Sequence, residues 1–151
     1  MNTDLLEISK LQALPEELIE QILIMIPPEK IFNVCQSNKL LYRLSCNNPG
    51  YWNNWVDLPT DKIRLLIERG VIGDYYMEMK SGRLDMVRQR VEIARQSGNN
   101  TLDLSGLGIK YLPPGIFDGL SVKRINLDNN QITNLEPGVF PEGLRRLYLD
   151  N

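Results

Sequence analysis

The last third of this chain repeats itself. Leu102-Asp-Leu104 returns as Ile125-Asn-Leu127 and again as Leu147-Tyr-Leu149, at steps of 23 and 22 residues. Behind the first two starts the same apolar positions follow: Ile109 and Ile132, Leu112 and Leu135, Phe117 and Phe140. A unit this short cannot bury its own apolar side, so units of one period stack and share a core. The expectation is a short solenoid over residues 98–151, with two full units and a truncated third. In each start the leucines alternate inward, and the residues between them face out together. Thr101, Asp103 and Ser105, then Arg124, Asn126 and Asp128, then Arg146, Tyr148 and Asp150 should therefore share one face.

The units resemble leucine-rich repeats, whose pattern is L-x-x-L-x-L-x-x-N-x-L-x-x-L. Asn130 falls in the asparagine slot of the second unit, and Leu107 stands there in the first. Solenoids of this kind bind through their strand face, so Asp103, Arg124, Asn126, Asp128, Arg146, Tyr148 and Asp150 are the candidate contacts for a protein substrate. Arginine and tyrosine are common interface anchors. Equally, the charges can simply solvate the sheet and pair across strands. Leu112-Pro-Pro-Gly-Ile-Phe117 and Leu135-Glu-Pro-Gly-Val-Phe140 read as turns behind the strands, their phenylalanines filling the core. A solenoid end needs a cap, yet the chain reaches Leu149-Asp-Asn151 directly after its third strand. That suggests a longer array, or a second chain over the edge at Leu147 and Leu149.

Up to residue 97 the period is helical. Residues 1–13 form a lead-in with Leu5, Leu6, Ile8 and Leu11 apolar. A helix opens at Pro15, whose missing amide is no loss in a first turn. Glu16 and Glu17 there suit the helix dipole, and Leu18, Ile19, Ile22, Leu23 and Ile26 are its apolar residues. Further helices are expected over 29–35 and 39–46, followed by a turn at 47–50 and by Trp52 and Trp55, both tryptophans of the chain. Thr60 or Asp61 should cap a helix that Gly70 stops. Two more helices, 74–81 and 84–96, lead to Gly98-Asn-Asn100. The expected domains are thus the lead-in at 1–13, a helical unit at 14–56, a helical linker and cap at 57–97, and the repeats at 98–151.

Composition removes most chemistry. The 151 residues carry a net charge of -2, with a hydrophobic fraction of 42% and no histidine. Histidine-based nucleophile pairs and histidine-ligated metals are excluded. Basic residues are neither in excess nor clustered, which argues against nucleic acid. The longest apolar run, 18–26, is too short to span a bilayer, and the acidic N-terminus does not fit a signal peptide. Cys35 and Cys46, eleven apart, fit no zinc spacing. They read as small buried hydrophobes, which favours a reducing compartment. No phosphate loop or acid–base pair is visible, so neither catalysis nor a cofactor is expected.

Leu14-Pro15-Glu16-Glu17-Leu18, then Ile22 and Leu23, Pro28 to Phe32, Val34-Cys35 and Trp52 together resemble an F-box. Asn38 stands where that family usually has a tryptophan. The resemblance implies docking onto the Skp-family adaptor of a cullin-based ubiquitin ligase. The implied adaptor contacts are Leu14, Pro15, Glu17, Leu18, Ile22, Leu23, Pro28, Ile31, Val34, Cys35 and Trp52. A unit of forty residues buries a core only marginally, so part of this apolar set should be spare for a partner.

The expected fold class is accordingly α+β: an all-helical F-box-like unit and helical linker, then a short leucine-rich-repeat solenoid. The implied function is that of a non-catalytic substrate receptor in a Skp–cullin–F-box ubiquitin ligase. It holds an unknown protein target in the cytoplasm, with the nucleus as a second location. If its source is a microbe or virus, it acts in the host cytoplasm on host ubiquitination. The alternative is a non-enzymatic repeat protein whose N-terminal helices only cap the solenoid.

Overall fold

The computed structural model describes residues 10–150; the lead-in residues 1–9 and Asn151 lie outside that description. The chain divides into two compact units between Gly73 and Asp74, whereas the sequence suggests its main break near residue 97.

The first unit is helical. After a 3-10 turn at Lys10–Ala13, α1 spans Glu16–Leu23 and α2 spans Pro28–Ser37. Each is preceded by a proline in extended conformation, which keeps the residue before the helix out of the helical region. Short helices α3 (Lys39–Leu44) and α4 (Pro49–Trp52) follow, then α5 (Thr60–Glu68). Asn38 caps α3, its Oδ1 accepting from the Leu41 amide at 3.0 Å, the role a small polar residue fills before a helix. Expected capping by Thr60 or Asp61 does not occur; Pro59 precedes α5 with no side-chain cap bond.

Inward spacing of four residues builds the core. Ile19 and Leu23 on α1, and Ile31 and Cys35 on α2, are buried. Tyr51 and Trp52 close it from α4, their rings edge to face at 5.5 Å. Both satisfy their polar ends: Tyr51 OH donates to the Ile26 carbonyl at 2.7 Å, and Trp52 Nε1 to the Cys46 carbonyl at 2.9 Å. Cys35 and Cys46 are joined as a disulfide, with Cα atoms 6.3 Å apart. This overturns the expectation of two free thiols. The fold of α2 against the segment after α3 brings them within bridging reach, which residue spacing does not reveal.

Helix α6 (Ile72–Ser81) crosses the division between units, and α7 spans Arg83–Ser97. Three parallel strands follow, β1 (Thr101–Asp103), β2 (Arg124–Asn126) and β3 (Arg146–Tyr148), in the order β1-β2-β3. The register pairs Leu102 with Ile125 and Ile125 with Leu147. Val87, Val91 and Ala94 of α7 share a core with Leu102, Leu104, Ile109, Leu112, Ile125 and Leu127, which is why α7 belongs to this unit.

The expected leucine-rich-repeat solenoid is not what forms. Among the described residues the β-structure is a single open sheet of three three-residue strands, and helix dominates the chain. The segments between strands are irregular, carrying neither a helix nor a second strand to make a closed coil. Phe117 and Phe140 stack behind the sheet at 5.9 Å. Gly115 and Gly138, with φ of +85° and +72°, turn the chain back at equivalent points of the two segments.

Candidate interaction surfaces

The two units each present one surface built by the residues singled out in the sequence. On α1, the inward pair Ile19 and Leu23 leaves Leu18 and Ile22 facing out. Leu14, Leu18 and Ile22 are 39%, 46% and 36% exposed, and Met25 is 78% exposed. Spaced by three or four residues, they form one apolar stripe. Pro15 and Glu17 are exposed beside it. Arg43 pairs with Glu16 at 2.6 Å across the solvent side. Single exposed apolar residues need no explanation, but a contiguous stripe on a small unit does.

The other expected adaptor contacts lie inside. Leu23, Pro28, Ile31, Cys35 and Trp52 are buried, so a partner cannot touch them without opening the unit. The side chain of Val34 lies outside the description. Met25 and Ile24, exposed at the end of the stripe, were missed because the period continues through Leu23 and the proline pair hides where α1 stops.

The second surface is the outer face of the sheet. The parallel register lines up Thr101, Arg124 and Arg146 in one row, and Asp103, Asn126 and Tyr148 in the next. All seven expected substrate contacts come together here. Their polar atoms are not equally free. Asp103 accepts from the Ser105 hydroxyl at 2.6 Å and the Ser105 amide at 3.0 Å. The Ser105 hydroxyl, then its amide, then the charge of Arg90 hold the Asp103 carboxyl below the ordinary 3.8. Asn126 accepts from the Asp128 amide at 2.9 Å, and Asp128 from the Asp150 amide at 2.7 Å. Asp103 and Asn126 close local turns, and Asp128 ties the end of β2 to that of β3. Arg124, Arg146, Tyr148 and the Asp150 carboxylate show no such commitment among the described residues, so they are the available contacts.

Comparison of the chain with protein-family models, curated proteins and solved structures gives no match. The surfaces therefore rest on their own geometry.

Two buried polar groups sustain the sheet. Asn130, only 6% exposed, donates to the carbonyls of Leu104 at 2.8 Å and Leu127 at 3.0 Å. Its Oδ1 accepts from the amides of Ile109 at 2.9 Å and Leu107 at 3.2 Å. It thus ties one sequence repeat to the next. Glu78, 1% exposed, receives Arg83 and the Lys110 amide at 3.3 Å. Sequence patterning did not single out Glu78, since an acid within a helix is ordinarily solvated. Among the described residues no group of three potential ligands is placed to hold a metal ion, and no helix is long and apolar enough to cross a membrane.

Proposed function

We propose that this chain is the target-binding subunit of a Skp–cullin–F-box type ubiquitin ligase. The observation that carries the reading is the exposed apolar set Leu14, just before α1, and Leu18 and Ile22 on it, beside the buried pair Ile19 and Leu23. It coincides with the Leu-Pro-x-Glu-Leu opening that resembles an F-box. Laid into a groove of the adaptor, such a face contributes anchors at helical spacing. The outer face of the three-stranded sheet then holds the target. Arg124 and Arg146 side by side favour an acidic surface on it. The subunit performs no bond chemistry; it raises the local concentration of target near the ubiquitin-charged enzyme.

This function places the chain in the cytoplasm, or in a host cytoplasm for a microbial or viral source. That compartment reduces most disulfides. Docking therefore has to survive opening of the Cys35–Cys46 bond, which involves none of the exposed apolar residues.

The test is co-purification of the 151-residue chain with a eukaryotic Skp-family adaptor. Wild type should co-elute, and Leu18→Glu with Ile22→Glu should not, while Arg124→Glu leaves the adaptor complex intact. Absence of any wild-type complex with the adaptor refutes the proposal and leaves a protein-interaction module without ligase function.

A further inference from the structure

We propose that the target on the sheet's outer face is recognised through a short uninterrupted acidic run, seated on four cations at the starts of β2 and β3. The inference rests on the reading that this face holds the target. Lys123-Arg124 and Arg145-Arg146 occupy equivalent places in consecutive repeats. The main chain sets them in register. The Arg145 and Arg146 amides donate to the Lys123 carbonyl at 2.8 and 3.0 Å, as the Lys123 and Arg124 amides do to the Asn100 carbonyl at 2.8 and 3.0 Å. Arg124 lies directly beside Arg146 in the ladder, so the two side chains leave one face about 4.8 Å apart, the spacing of neighbouring strands.

All four side chains are exposed, and among the described residues none of them makes an ion pair or a hydrogen bond. Like charges directly opposite one another destabilise a sheet, and nothing within the described fold offsets that cost. The first repeat shows the neutral alternative, with Asn100 and Thr101 at the same two places. The strands therefore pair without cations there, and the four charges are available to something outside the fold.

Charge selects the occupant. An anionic group between the Arg124 and Arg146 guanidinium groups accepts from both, and such charge-assisted bonds are the strong kind. A segment rich in carboxylates fits better than a nucleic acid. The chain as a whole carries a net charge of -2, so its longer-range field opposes an extended polyanion. The patch is also confined to two adjacent dipeptides, too small for a phosphate backbone to follow. Neighbouring carboxylates of a short acidic run engage the cations of β2 and β3 together. Because the contact is exposed, it weakens steeply with salt, and its charges speed encounter as well as fixing register.

A synthetic peptide carrying an uninterrupted glutamate run, titrated into the 151-residue chain without adaptor, tests it. Nuclear magnetic resonance of the arginine Nε–H groups reports even weak binding. The Arg124 and Arg146 signals should shift, and a lysine-run peptide should move neither. Arg124→Thr with Arg146→Thr copies the first repeat. It should weaken the glutamate peptide about tenfold and leave the free chain at least as heat-stable. Raising salt from about 0.1 M to about 1 M, which shortens the screening length from about 10 Å to about 3 Å, should abolish binding. No shift at low salt overturns the proposal, as does binding indifferent to the double substitution. A double variant that melts earlier overturns it too, since the cations would then be holding the sheet. So does a single-stranded oligonucleotide that binds more tightly than the peptide. Adaptor capture is measured apart from the peptide, so its loss sinks the ligase reading and leaves peptide binding standing, and the reverse holds equally.

Discussion

Arg83 grips both carboxylate oxygens of Glu78, its Nε lying 3.0 Å from each and its Nη2 2.7 Å from Oε1. The pair spans the break between α6 and α7, where Gly82 reverses the chain with φ +85°. Glu78 is interior, so its charge is tolerable only with this partner. Arg83→Met should cost about 3–5 kcal/mol, because it strands a buried carboxylate. Urea unfolding followed by circular dichroism measures this, and a cost near zero would show that the ion pair is incidental.

Asn130→Ala should destabilise the second unit by about 3 kcal/mol. It leaves buried amides and carbonyls of two adjacent repeats without partners. Asn130→Asp keeps the acceptor for Ile109 and Leu107 but loses the donors, and should also be destabilised. Hydrogen exchange at the Ile109 amide would report the loss locally; unchanged protection in Asn130→Ala would contradict the assigned role.

The Asp74 carboxyl is pushed above the ordinary 3.8 by burial first, then by the nearby charges of Glu78 and Glu136. The folded state therefore holds the proton more tightly than the unfolded chain. Its contribution to stability is complete below 3.8 and is lost as pH rises through the folded value. At about pH 7 the ionised carboxylate opposes folding. Asp74→Asn should be more stable than wild type there, with the gain shrinking as pH falls through the raised folded value and gone below about 4. Equal stability of the two proteins across that range would count against it.

Neighbouring residues on α1 should separate docking from folding. Leu18→Glu lies on the exposed stripe and should change stability by less than about 0.5 kcal/mol, while abolishing adaptor capture. Ile19→Ala, one position on and fully buried, should cost about 2–5 kcal/mol. Thermal melts of the two variants would distinguish them; similar losses would mean that the stripe is interior in solution.

Breaking the Cys35–Cys46 bond should cost the first unit about 2–3 kcal/mol, the entropy released to a loop of this length. Melting with and without reductant measures it. Cys35→Ser with Cys46→Ser should match the reduced protein, and adaptor capture should persist in both. No shift on adding reductant would show that the thiols are unbridged in solution.

Much of the helical organisation was legible because it is local. The starts of α1 and α2, expected at Pro15 and Glu29 and found at Glu16 and Pro28, and the boundaries of α5 and α7 follow from proline, glycine and period within a few residues. The burial of Tyr51 and Trp52 could also be anticipated, because aromatics of that size rarely stay in water in a small unit. The strand starts at Leu102, Ile125 and Leu147 were legible from repetition, as was the shared outer face of the seven expected contacts.

Tertiary structure decided the rest. Periodicity marks apolar positions without saying which are shared with a partner. It took the fold to separate Leu18 and Ile22 on the surface from Leu23, Ile31 and Trp52 inside, since three short helices enclose only one side of each. The Cys35–Cys46 bond and the Glu78–Arg83 pair depend on distances across helix junctions that composition does not encode. The same holds for the sheet. Repetition in the chain specifies that like residues can stack in register, but not that the intervening segments close into regular coils. Here they stay irregular, and the result is a sheet of three short strands. Local rules are written in neighbouring residues; burial, pairing and closure depend on what the rest of the chain brings alongside.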